Sequence, residues 1–178
     1  MKNTKLNKVA AALAATLAAG AAFAAQTDSG TGTLAVNATI SAQCAVGQHT
    51  AIDFGTLAML SGTGQNTSDS TGAGAIDAIC TNGAPTPQFR YSSANTSGTD
   101  FRLVGADATT YIGYSLYQSA DSTTAPVTYN TDAAHPAFTA TGASEVLDMS
   151  ARILAADRNG KPMQTYSDTI TITTSFGA

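Results

Sequence analysis

From Leu34 the chain alternates, with Leu34, Val36, Ala38 and Ile40 on one side and Ala35, Asn37, Thr39 and Ser41 on the other. A period of two predicts a half-buried strand that runs straight into Cys44. Ala51 to Gly55 (AIDFG) is a second short apolar segment, and Ser61 to Gly74, with no large apolar residue and four glycines, predicts a loop. Ala75 to Cys80 reads as a strand; Asn82-Gly83 turns, and Pro85 and Pro87 interrupt any ladder. Gln88 to Ser92 resumes with Phe89 and Tyr91 on one face, Asn95 to Gly98 turns, and Phe101 to Val104 follows. Tyr111 to Gln118 (YIGYSLYQ) is the most aromatic strand, with Ile112, Tyr114 and Leu116 together on one face. Val127 to Tyr129 suggests a further short strand. Ser144 to Ala156 fits two periods: Val146, Met149 and Ile153 at helical spacing, Leu147, Met149, Ala151 and Ile153 at strand spacing. Ser167 to Phe176 (SDTITITTSF) is a clear β pattern, Ile170 and Ile172 alternating with threonines. Short strands between Gly, Ser, Thr and Pro turns predict an all-β sandwich of one domain.

The N-terminus belongs to another category. Lys2, Lys5 and Lys8 precede an uncharged run, Val9 to Phe23, that closes on Ala22-Phe23-Ala24. A basic start, a short apolar stretch and a small-x-small end make residues 1–24 a secretory signal peptide cut after Ala24. Of the basic residues, Arg90, Arg102, Arg152, Arg158 and Lys161 remain after cleavage, against all twelve acids. A scattered acidic surface excludes an ordinary nucleic-acid binder, because the phosphate backbone is itself a polyanion. With charged residues at 11% of the 178-residue chain, the surface is kept in water mainly by hydroxyls and amides.

Export changes the meaning of Cys44 and Cys80, the two cysteines of the chain. An even count in an oxidising compartment predicts a disulfide between them. Catalytic chemistry finds no constellation: His49 and His135 have no metal-ligand spacing, and no nucleophile elbow or phosphate-cradling loop occurs. Glu145 and Asp148 would share a face only on a helix, where a solvated pair is the simpler reading. The expectation is therefore no catalytic, metal or cofactor site, and no small-molecule cofactor.

The alternating strand before Cys44, Ile52-Asp53-Phe54-Gly55-Thr56-Leu57, Cys80-Thr81-Asn82-Gly83, the tyrosine strand Tyr114 to Tyr117, and Thr165 to Ile172 occur in a characteristic order. Behind a signal peptide, this set resembles the spore coat protein U domain family, pilin subunits of archaic (Csu-type) chaperone–usher pili. The resemblance covers about residues 30–176; the longer loop after Leu60 and the final Gly177-Ala178 depart from it. It implies an incomplete immunoglobulin-like β-sandwich, 37–178, completed by a donor strand from a neighbouring subunit. Residues 25–36 would be a flexible donor segment, with Leu34, Val36 and Ala38 as its knobs and Ile40 in the subunit's own first strand. Ile170, Ile172 and Phe176 would form the groove and the edge a chaperone docks on. The implied partners are a periplasmic chaperone, an outer-membrane usher and neighbouring pilin subunits; the implied destination is the cell surface, through the periplasm. The residues alone leave another function open: a self-contained secreted or coat sandwich that binds a glycan or a surface as a monomer.

Overall fold

A computed structural model describes residues 31–57 and 67–177. The signal peptide, the start of the expected donor segment and residues 61–66 of the expected loop lie outside the described residues. The chain divides into two units, Met1–Thr39 and Ile40–Ala178. In the first, residues 31–39 have neither helix nor strand and all are exposed.

The second unit is nearly all β. Its strands are β1 (Cys44–Thr50), β2 (Ser70–Cys80), β3 (Pro87–Ser93), β4 (Phe101–Gly105) and β5 (Tyr111–Tyr117). They are followed by β6 (Ala133–Ala134), β7 (Glu145–Ile153), β8 (Tyr166–Ser167) and β9 (Ile170–Phe176), with a four-residue helix α1 (Ala155–Arg158) after β7. One sheet has the order β1-β2-β7-β5-β4-β8 and the other β6-β3-β9, with every pairing antiparallel. The two sheets face each other across one core: Ile76, Ala78, Leu116, Leu147 and Met149 from the larger, Phe89 and Tyr91 from the smaller. This is an immunoglobulin-like sandwich in which β9 is paired with β3 alone among the described strands, leaving its other edge bare.

Side-chain alternation explains why Ser144 to Ala156 is mostly strand. Leu147, Met149, Ala151 and Ile153 are all buried, whereas Val146 is exposed. Nine residues of β7 pair with β2 from Ser70↔Ile153 to Ala78↔Glu145, so backbone pairing settles what side-chain spacing left open. The helical spacing survives only in the short α1 beyond it.

Four expectations are corrected. Leu34 to Ile40 is not a strand, and Ile40 is not in the first one; β1 starts at Cys44, and Ile40 is 85% exposed. Ser70 to Gly74 is strand instead of loop, because small residues are needed there. A Cβ on Gly72 would stand 2.8 Å from the Asp53 carbonyl oxygen, and one on Gly74 would stand 2.6 Å from Ile52 Cγ1. The segment 50–53 crosses β2 at these glycines, which is why they carry no side chain. Val127 to Tyr129 is no strand: Val127 N–H donates to the Leu116 carbonyl (2.7 Å), and both Val127 and Tyr129 pack on the core from a loop. The fourth is Pro87, which begins β3 instead of breaking it; the first residue of a strand is a place a missing N–H is tolerated.

Candidate functional site

The candidate functional feature is a groove, and its walls follow from the two sheets. β1 is an edge of the larger sheet and β9 an edge of the smaller, and the two approach each other across a cavity of about 1070 Å³. Its floor is Ile76, Leu116 and Met149; Ile170 and Ile172 of β9 line one side, and Val46 of β1 the other. On β9 the inward Ile170 and Ile172 are only half-buried, while Thr171 and Thr173 face solvent. Apolar side chains at inward positions that stay half-buried leave apolar surface available along this side of the groove. Two bare edges flank this apolar floor, and unpaired strand N–H and C=O groups beside apolar surface are a template for another strand.

The segment after β1 forms a flap over the groove. Ile52 and Phe54 pack partly buried on the core, and Gly55 N–H donates to Asp53 Oδ1 (2.8 Å) to turn the chain there. Phe54 meets the Tyr114 ring edge-on at 6.4 Å, and Tyr114 stacks on Phe101 at 5.7 Å. The tyrosine strand therefore serves the core and the groove wall.

One end of the groove is closed by a carboxylate. Asp168 Oδ1 accepts from Ser93 Oγ (2.6 Å), Asn95 Nδ2 (2.9 Å) and Thr169 N–H (2.8 Å), and its Oδ2 accepts from Tyr114 Oη (2.7 Å). This ties the end of β3 and the start of β9 to β5 in the opposite sheet. Burial, and then the hydrogen bond to Asp168 and its charge, push the Tyr114 phenol far above its ordinary value. Burial also pushes Tyr91 up to about 12, against the opposing hydrogen bond from Gln118. Sequence reasoning missed this network because its members lie far apart in the chain. It missed the flap as well, although the small residues at Gly72 and Gly74 were its visible signal.

The sequence-derived residues fall as follows. Cys44 and Cys80 form the disulfide, directly opposite each other in the β1–β2 register. Ile170 and Ile172 line the groove; Phe176 pairs with Pro87 at the far end of β9 and is not among the lining residues. Leu34 and Val36 are 89% and 86% exposed, and Ala38 is exposed too. Glu145 and Asp148 sit on a strand and so face opposite ways. His49 Nδ1 is 3.1 Å from Asp77 Oδ1, an exposed pair across β1 and β2, and His135 is buried edge-on against Phe89. Among the described residues no three His, Cys, Asp or Glu side chains gather where they could hold a metal ion. No helix among them is long and apolar enough to cross a membrane.

Comparison with known proteins gives one family and a fold. Residues 30–173 match the family model described as Spore Coat Protein U domain. No curated protein matches the chain. Among solved structures, the chain is similar to one in the crystal structure of the CsuC–CsuE chaperone–tip adhesion subunit pre-assembly complex, from archaic chaperone–usher Csu pili of Acinetobacter baumannii. That match has 14% identity and a TM-score of 0.52, over 78% of this chain and 40% of the other. A second match, at 12% identity and a TM-score of 0.46, is to a chaperone–tip adhesin complex of CFA/I fimbriae biogenesis, over 77% of this chain and 42% of the other. The chain thus spans about two fifths of the length of these two structures' chains.

Proposed function

The chain belongs to the Spore Coat Protein U domain family, and from that premise we propose that it is a structural, non-catalytic pilus subunit. It is exported to the periplasm and polymerised by donor-strand exchange through a chaperone–usher pathway, and the resulting surface fibre serves adhesion and biofilm formation. The observation that carries this reading is the groove between β1 and β9, apolar on its floor and bare on both edges. Its occupant must be extended, must alternate, and must bring its own N–H and C=O groups. Leu34, Val36 and Ala38 alternate in the sequence and stand exposed in a segment without helix or strand, which supports them as the donor's knobs. Burying Leu34 and Val36 in a neighbour would contribute about 1.5–3 kcal/mol each, beyond the main-chain ladder. A periplasmic chaperone would hold the β9 edge before the neighbour arrives, and an outer-membrane usher would carry out the exchange.

The test is to express the chain with its signal peptide, with and without a candidate chaperone, and to run the unboiled product on a denaturing gel. A variant lacking residues 25–36 runs beside it. The expected result is a ladder of subunit multiples that collapses on boiling and disappears in the truncated variant. A monomer that folds without any chaperone and ignores the truncation would overturn the reading in favour of a monomeric surface- or glycan-binding module.

A further inference from the structure

We propose that Thr81 is an exit clamp: it holds the residues in front of β1 in line with that strand, and so directs the donor segment to a second subunit and away from its own groove. This inference rests on the pilus-subunit reading above. The problem it solves is physical. A segment tethered to the domain that carries the groove sees that groove at an effective concentration of about millimolar, without waiting for a partner. Insertion into its own groove would end polymerisation at the monomer.

The geometry at the base of β1 opposes such insertion. Thr81 N–H donates to the Gln43 carbonyl (2.9 Å), and Gln43 N–H donates to Thr81 Oγ1 (3.1 Å). The same hydroxyl reaches the carbonyls of Ser41 and Gln43, each at 3.3 Å. These contacts continue the antiparallel pairing of β1 and β2 beyond the Cys44–Cys80 disulfide. The clamp is itself braced, since Gly83 N–H donates to the Ala140 carbonyl (3.2 Å) and Gly142 N–H to the Cys80 carbonyl (3.1 Å).

The groove lies in the other direction along the chain. On β1 its lining starts at Val46 and continues through the flap. Entry of the preceding chain into the groove of its own molecule calls for a turn in front of β1, and a turn inside Ser41–Gln43 would give up the hydrogen bonds to Thr81. Donation to a neighbour needs no reversal. The side chain that matters carries a hydroxyl: Thr81→Val keeps the β-branched shape and the backbone N–H, but it can neither accept from Gln43 nor donate to Ser41.

The experiment compares wild type, Thr81→Val and Thr81→Ser, each co-expressed with the candidate chaperone and run unboiled. Each lane is scored for the ratio of chaperone-free compact monomer to ladder, and disulfide formation is read from the mobility shift on reduction. Loss of about one hydrogen bond's net worth predicts a roughly fivefold rise in that ratio for Thr81→Val, with Thr81→Ser at the wild-type value. A Thr81→Val ladder equal to wild type overturns the clamp. So does a Thr81→Ser variant shifted as far as Thr81→Val, or a Thr81→Val chain that no longer forms its disulfide. A wild-type chain without any ladder overturns the parent reading instead.

Discussion

Replacing Asp168 by alanine removes the acceptor of hydrogen bonds from Ser93, Asn95, Thr169 and Tyr114 in one step. Hydrogen bonds to a charged group contribute about 1.5–3 kcal/mol each, but four on one carboxylate do not add. Asp168 is also only half-buried, so water recovers part of the loss. We therefore expect Asp168→Ala to cost about 3–4 kcal/mol, a large share of the 5–15 kcal/mol of a typical domain. Asp168→Asn keeps an acceptor oxygen and should cost about half as much. In urea unfolding followed by circular dichroism, the alanine variant should lower the midpoint by about 1.5–2 M, taking a slope of roughly 2 kcal/mol per molar. A double-mutant cycle with Tyr114→Phe should give a clear coupling energy, because the carboxylate joins the phenol on β5 to Ser93 at the end of β3 in the other sheet. An alanine variant with the wild-type midpoint, or a cycle without coupling, would refute the idea that this carboxylate ties the sheets together at the end of the groove.

Other outcomes follow from the same structure. Changing both Cys44 and Cys80 to serine opens a loop with a sequence separation of 36; the chain-entropy estimate is a loss of about 4 kcal/mol, read as a sharp fall in periplasmic yield and melting temperature. Burial lowers the pKa of His135, against the opposing backbone and charge of Asp148. The unfolded chain then takes up a proton first as the pH falls below about 6.5, so the stability held by the neutral ring is present above that pH and declines below it. His135→Gln should flatten this acid-side slope in the melting temperature. In an alkaline titration followed by ultraviolet absorbance, Tyr91 and Tyr114 should stay protonated until the protein unfolds; in Asp168→Ala, Tyr114 should ionise at a lower pH.

Much of the architecture was legible because a period of two, once it is long enough, leaves few alternatives. Tyr111 to Tyr117 and Ile170 to Phe176 are strands as read, and the disulfide follows from an even cysteine count in a chain whose N-terminus reads as a signal peptide. Leu34 to Ile40 shows the limit of the same signal. Alternation says which side chains would share a face, but it does not say whether the domain itself has a strand for them to pair with. β1 (CAVGQHT) was missed for the opposite reason: it is an edge strand with an irregular register between Gln48 and Thr50, and only half of its pattern is apolar. Asp168 was out of reach of any local pattern, since its partners Ser93, Asn95 and Tyr114 converge only when both sheets are in place.

For the exported subunit proposed above, the pairing of β9 with β3 would have a consequence for the order of events during export. Pro87 lies opposite Phe176, and Ser93 opposite Ile170, so among the described residues the smaller sheet would have no second long strand until almost the whole domain had emerged on the far side of the membrane. Such distant pairing is slow to form, and during that interval Leu116 and Met149 would be without the cover of β9. The edge that a chaperone would recognise is thus also the last to be built. Recognition at β9 would then report on completeness, because a chain stalled or clipped before Ile170 lacks the strand by which it would be accepted.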